Sequence, residues 1–142
     1  MEREILRWYG RLATRTVRNP RSPKWAPLLP KGVFAPDLPV YKKSKQDLRD
    51  VVINDGLHMH GIVVANQLGR ISEPLDVHFE RNLEKYLTGN LRNIDIKPIT
   101  RTAGYVTEYG MKALKRPIFS MDQVLVLPRT LGELPDRNRR LP

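Results

Sequence analysis

Cysteine is absent from the chain. That excludes a disulfide framework and any thiolate metal site, and it fits a reducing compartment. No apolar run approaches the roughly 20 residues of a membrane span. The stretch Met1-Glu2-Arg3-Glu4-Ile5 contains no secretory apolar region, so the expected location is the cytoplasm. No segment repeats. No G-x-x-x-x-G-K-S/T motif occurs, so no P-loop helicase domain is expected. Acidic residues are the scarcer charge: 15 Asp and Glu stand against 25 Lys and Arg, a net charge of +10. The excess points to a polyanionic partner, nucleic acid first and an anionic membrane surface second. Histidine is scarce as well, and two of the 3 fall within one tripeptide.

At 142 residues and 40% apolar content, the chain suits one small domain with a modest core. Glu2 to Val17 follows a helical period, with Ile5, Trp8, Tyr9, Leu12, Ala13 and Thr16 on one face. Arg3, Arg7, Arg11, Arg15 and Arg18 form a basic stripe on another face, suited to phosphates or simply to solvent. Asn19-Pro20 ends the helix. Half of the 12 prolines lie between Asn19 and Val40. Each removes a backbone donor and biases its predecessor to extended geometry. An irregular segment over 19–49, wrapped on the domain, is the expectation. Its charged end, Tyr41 to Asp50, reads as a short helix or an exposed loop.

Asp50-Val51-Val52-Ile53 reads as a strand, and Asn54-Asp55-Gly56 as a hairpin turn. Leu57 to Ala65 is the next strand. Apolar residues on both of its faces predict a central position covered on both sides. Gly61 within it predicts a bulge or a close backbone approach. Glu73 to Thr88 reads as a helix with Leu75, Phe79, Leu83, Tyr86 and Leu87 inward and Gly89 just past its end. Leu91 to Ile99 alternates like a half-buried strand that Pro98 places at an edge. Thr102 to Arg116 reads as a helix capped by Thr102. Val124 to Leu127 is a short apolar stretch, and the tail after Pro135 reads as mobile.

Two stretches carry chemistry. In a strand, residues i and i+2 share a face, so His58 and His60 project side by side, as two imidazoles holding one cation require. On a helix, Tyr105, Tyr109 and Lys112 share a face at i, i+4 and i+7, and Lys115 and Arg116 extend it. A phenol is a poor nucleophile near neutral pH, with a pKa of about 10. Nearby cations lower the free energy of its attack on phosphorus. A divalent ion on two imidazoles polarises a phosphate as a Lewis acid. A third ligand is expected from among His78, Glu73, Asp76 and Asp55, although His78 reads more readily as a helix-surface residue.

Taken together, His58-Met59-His60 and Tyr105-Val-Thr-Glu-Tyr109-Gly-Met-Lys112 resemble the signatures of the HUH endonucleases. These are the rolling-circle replication initiators (Rep proteins) of phages and plasmids. The resemblance covers roughly residues 50–116 and includes the order of the motifs. It implies an α+β fold: an antiparallel sheet of the ferredoxin-like Rep nuclease type, with helices packed on one face. It implies Mg²⁺ or Mn²⁺ on His58 and His60, Tyr109 and then Tyr105 as nucleophiles, and Lys112 as the assisting cation. The activity implied is nicking and joining of single-stranded DNA at a replication origin through a phosphotyrosine, with host helicase and polymerase as further partners.

The family's first motif is an apolar strand beside the histidine strand, and nothing before residue 50 reads that way. The expectation is therefore a nuclease domain over residues 1–116 that lacks its first strand, followed by a partly disordered extension over 117–142. Arg3, Arg7, Arg11, Arg15, Lys115 and Arg116 are the expected DNA-contacting cations. The competing expectation is a non-catalytic basic module, a decayed or truncated Rep domain, in which the same cations hold phosphates and the tyrosines stack on bases.

Overall fold

A computed structural model describes residues 1–37, 58–100, 102–110 and 120–129. Its elements are helix α1 (Glu2–Thr16), strand β1 (Lys31–Asp37), strand β2 (His58–Val64), helix α2 (Leu75–Tyr86), helix α3 (Ala103–Gly110) and strand β3 (Leu125–Leu127). Two 3₁₀ turns, Pro23–Leu28 and Met121–Gln123, complete them. The strands form a three-stranded antiparallel sheet in the order β2-β1-β3. The fold class is α+β, as expected.

Three expectations need correction. The proline-rich segment is not irregular throughout. It contains the 3₁₀ turn and strand β1, and β1 pairs with the histidine strand. Pro30 lies just before β1, and Pro36 is its last residue but one. Between them, Gly32 to Ala35 keep their donors, and Val33 and Phe34 favour a pleated surface. The chain therefore has a strand beside β2 before residue 50, placed after α1. Second, β1 is the middle strand. Among the described residues β2 is at an edge, and none of its seven residues is fully buried. Third, residues 91–99 form no strand. Ile94 and Ile96 are half-buried between exposed neighbours, but no partner strand pairs with them. The expected strand at Asp50–Ile53 and the turn at 54–56 lie outside the described residues.

The chain divides into two compact units. One comprises Met1, Val33–Ile62 and Ile99–Leu125; the other comprises Glu2–Gly32, Val63–Pro98 and Val126–Pro142. In the second unit, α1 buries Ile5, Trp8, Tyr9, Leu12, Ala13 and Thr16, the face its period predicts. Trp8 stacks on Phe79 of α2 with ring centroids 5.7 Å apart, and Phe79 lies 4.2 Å from the ring of Tyr86. Tyr86 and Leu12 are wholly buried. Gly89 follows α2 with φ +62°, where a side chain is strained. A Cβ there would also lie 2.5 Å from Glu4 Oε2 and 2.8 Å from Arg7 Nη1.

The buried phenols are held by hydrogen bonds. Tyr9 donates to the Pro30 carbonyl at 2.7 Å, and the Tyr86 hydroxyl lies 2.8 Å from His78 Nε2. Burial pushes the pKa of both tyrosines up to about 12. An unfolded phenol ionises near pH 10, so this stabilisation is complete below pH 10 and is lost as pH rises toward 12. Wild-type protein is expected to unfold progressively across that window. Tyr9→Phe/Tyr86→Phe should flatten the profile in a circular-dichroism pH titration, at some loss of stability near neutrality.

Candidate functional site

Strand β2 alternates its side chains, so His58 and His60 share one face while Met59 and Gly61 belong to the other. The two imidazoles converge. Their Nε2 atoms are 3.0 Å apart, with ring centroids 4.7 Å apart and planes at 71°. Such a separation is that of an N–H···N hydrogen bond, which joins the pair in one tautomer combination. It is also the spacing of two neighbouring nitrogens on an octahedral ion: two bonds of about 2.1 Å at a right angle separate their nitrogens by about 3.0 Å. The donor set therefore fits a divalent cation.

The face behind the histidines explains how β2 is held. The Phe34 ring of β1 lies against the backbone of Gly61. A Cβ on Gly61 would lie 2.5 Å from Phe34 Cε1 and closer still to Cδ1. Phe34 is buried. The expected close approach at Gly61 is thus real, and its partner is an aromatic ring that sequence reading did not link to the site. A lone glycine inside a β-branched run was the only signal.

Tyr105 and Tyr109 are both on α3, one turn apart, and α3 belongs to the same compact unit as His58 and His60. Tyr105 is 49% exposed. The Tyr109 side chain, Lys112, Lys115, Arg116 and Asp55 lie outside the described residues. Among the described residues, no group of three His, Asp or Glu could hold a metal ion.

His78 differs from its expected surface position. It is buried, and both ring nitrogens are engaged, Nδ1 with Glu73 Oε1 at 2.9 Å and Nε2 with the Tyr86 hydroxyl at 2.8 Å. Hydrogen bonding to His78 holds the Glu73 carboxyl below its ordinary range. The carboxylate fixes the imidazole tautomer, with Nδ1–H donating to Glu73 and Nε2 accepting from Tyr86. Glu73 and His78 thus serve the fold of the second unit.

The arginine stripe is also partly engaged. Arg7 pairs with the buried Glu4 at 3.2 Å. Arg11 donates to the Lys85 carbonyl, and the Arg15 guanidinium stands 5.5 Å from the centre of the Tyr86 ring. Arg11 and Arg15 therefore place positive charge at the last turn of α2, where carbonyls lack helical partners and the dipole is negative. Arg3 remains exposed. No protein family, no curated protein and no solved structure matches this chain.

Proposed function

We propose that this chain nicks and joins single-stranded DNA, with His58 and His60 holding Mg²⁺ or Mn²⁺ and a tyrosine of α3 as nucleophile. The observation that carries the reading is the converged Nε2 pair, 3.0 Å apart, in the compact unit that also contains α3. The α+β class supports it, and the finer reading is a sheet of the Rep nuclease type. When bound, the cation supplies Lewis-acid polarisation of the scissile phosphate. The phenol oxygen of Tyr109, or of Tyr105, forms a bond to phosphorus. The bond from phosphorus to the 3′ oxygen breaks, and the phenolic proton ends on that oxygen. A 5′-phosphotyrosine and a free 3′ hydroxyl result, and Lys112 compensates the charge that develops on the phosphate. Reversal on a second 3′ hydroxyl joins strands. Rolling-circle replication of a phage or plasmid is the process such chemistry serves.

The test is incubation with a library of single-stranded oligonucleotides and Mn²⁺, followed by denaturing electrophoresis. A covalent adduct is expected that disappears in Tyr105→Phe/Tyr109→Phe and falls at least 100-fold in His58→Ala/His60→Ala, of the order expected when metal ligation is lost. Binding without any adduct across the library sinks the nuclease reading and leaves the non-catalytic binding module.

A further inference from the structure

From residue 5 to residue 36 the sequence has no Asp or Glu, and it has none from 56 to 72 either. The fold brings parts of these two acid-free stretches together within the second unit. The backbone N–H of Arg70 donates to the Thr16 carbonyl at 2.8 Å, and Asn66 Nδ2 to the Pro27 carbonyl at 3.5 Å. Gly69 is packed so closely on Thr16 that a Cβ would lie 2.8 Å from Thr16 Cγ2. The turn at 66–70 is therefore braced against the end of α1 and the 3₁₀ turn. Bonds from Ser22 N–H to the Asn19 carbonyl (3.1 Å) and from Trp25 N–H to the Ser22 carbonyl (3.0 Å) keep residues 19–25 compact.

The result is a cluster of Arg18, Arg21, Lys24 and Arg70, all exposed. Among the described residues none of the four has an acidic partner. Lys24 stands 5.5 Å from the centre of the half-exposed Trp25 ring. This differs from the α1 stripe, where Arg7, Arg11 and Arg15 are used by the fold. Four exposed like charges on turns braced against one another raise the local positive potential, and a row of phosphates binds there by releasing its own counterions. We infer that Arg18, Arg21, Lys24 and Arg70 form the surface that holds a nucleic-acid phosphate backbone, with Trp25 beside it as a flat apolar contact. The inference rests on the proposed function only for the choice of single-stranded DNA as the strand.

The experiment is fluorescence anisotropy of a labelled 30-nucleotide oligo-dT with the full chain, without metal, over a range of salt concentrations. Arg18→Gln/Arg21→Gln/Lys24→Gln/Arg70→Gln is expected to weaken binding at least 100-fold at low salt. The slope of log affinity against log salt should become shallower by about 2.8, at about 0.7 per lost phosphate contact. The comparison variant Arg81→Gln/Lys85→Gln/Arg92→Gln/Lys97→Gln removes equal charge elsewhere and is expected to change binding less than threefold. Equal weakening by both variants overturns the inference, because net charge alone then explains binding. So does an unchanged slope in the first variant with its circular dichroism intact. Duplex DNA and phosphatidylserine vesicles are run alongside, and a patch-dependent loss confined to vesicles assigns the surface to a membrane and overturns it too. The readout needs neither metal nor adduct. Oligo-dT binding can thus stand while nicking fails, and nicking can stand while this surface fails.

Discussion

Trp8→Ala is expected to lower the stability of the chain by about 3–5 kcal/mol, the range for removing a large buried aromatic side chain. Trp8 is 4% exposed and stacks on Phe79, which in turn packs on Tyr86. The three rings link α1 to α2, so removing the Trp8 ring leaves a cavity between the two helices. A domain of this size has about 5–15 kcal/mol in total, so the loss is a large fraction of it. Urea denaturation followed by circular dichroism checks the value. A loss below about 1 kcal/mol would mean that the α1–α2 packing does not hold the second unit together. Trp8→Phe should cost about half as much, since it keeps a ring against Phe79 but leaves a cavity.

Gly61→Ala is expected to act on the histidine pair. The new methyl group meets the Phe34 ring. Phe34 is buried in the middle strand and cannot swing away, so β2 has to shift or twist. Overpacking of this kind costs about 1–3 kcal/mol. The shift needed at Gly61, about 1 Å to restore ordinary van der Waals contact, also moves His60, its immediate neighbour, and changes the 3.0 Å Nε2 separation. Mn²⁺ affinity, followed by water-proton relaxation, should fall about 10-fold or more, on the scale seen when the groups that orient metal ligands are altered. Phe34→Val/Gly61→Ala removes both colliding atoms, Cδ1 and Cε1, and should regain most of that affinity. A merely structural role for Gly61 predicts lower stability in the single variant with unchanged Mn²⁺ affinity. Failure of the wild type to bind Mn²⁺ at all would remove the metal site itself.

Much of this arrangement was written in local patterns. The buried face of α1 follows from the spacing of Ile5, Trp8, Tyr9, Leu12, Ala13 and Thr16, because a 3.6-residue period leaves few alternatives. The juxtaposition of His58 and His60 follows from the two-residue period of a strand. What was not legible depends on contacts between distant residues. Strand β1 was hidden because its flanking prolines look like exclusion of structure, while only pairing with β2 makes a strand of Lys31–Asp37. Apolar residues on both faces of Leu57 to Ala65 suggested a central strand, yet the middle place belongs to β1. His78 looked like a surface residue because its partners, Glu73 and Tyr86, are five residues before it and eight after it, and their use depends on packing against α1. The arginine stripe has the periodicity of a solvated face. Its role at the end of α2 appears only when residues 74 positions apart in the sequence meet.

The distance between α1 and its partner also has a consequence in time. Trp8 waits for Phe79, and Arg15 for Tyr86, so about 70 residues must be synthesised between the two halves of the same core. At roughly 5–20 residues per second that is an interval of about 4–14 s. Throughout it the apolar face of a 15-residue helix, too short to be stable alone in water, has no cover. A nascent chain halted after α1 has left the ribosome but before α2 has should therefore be protease-sensitive at α1 and should bind chaperones through Ile5, Trp8 and Leu12. One halted far enough downstream for α2 to have left the ribosome should not.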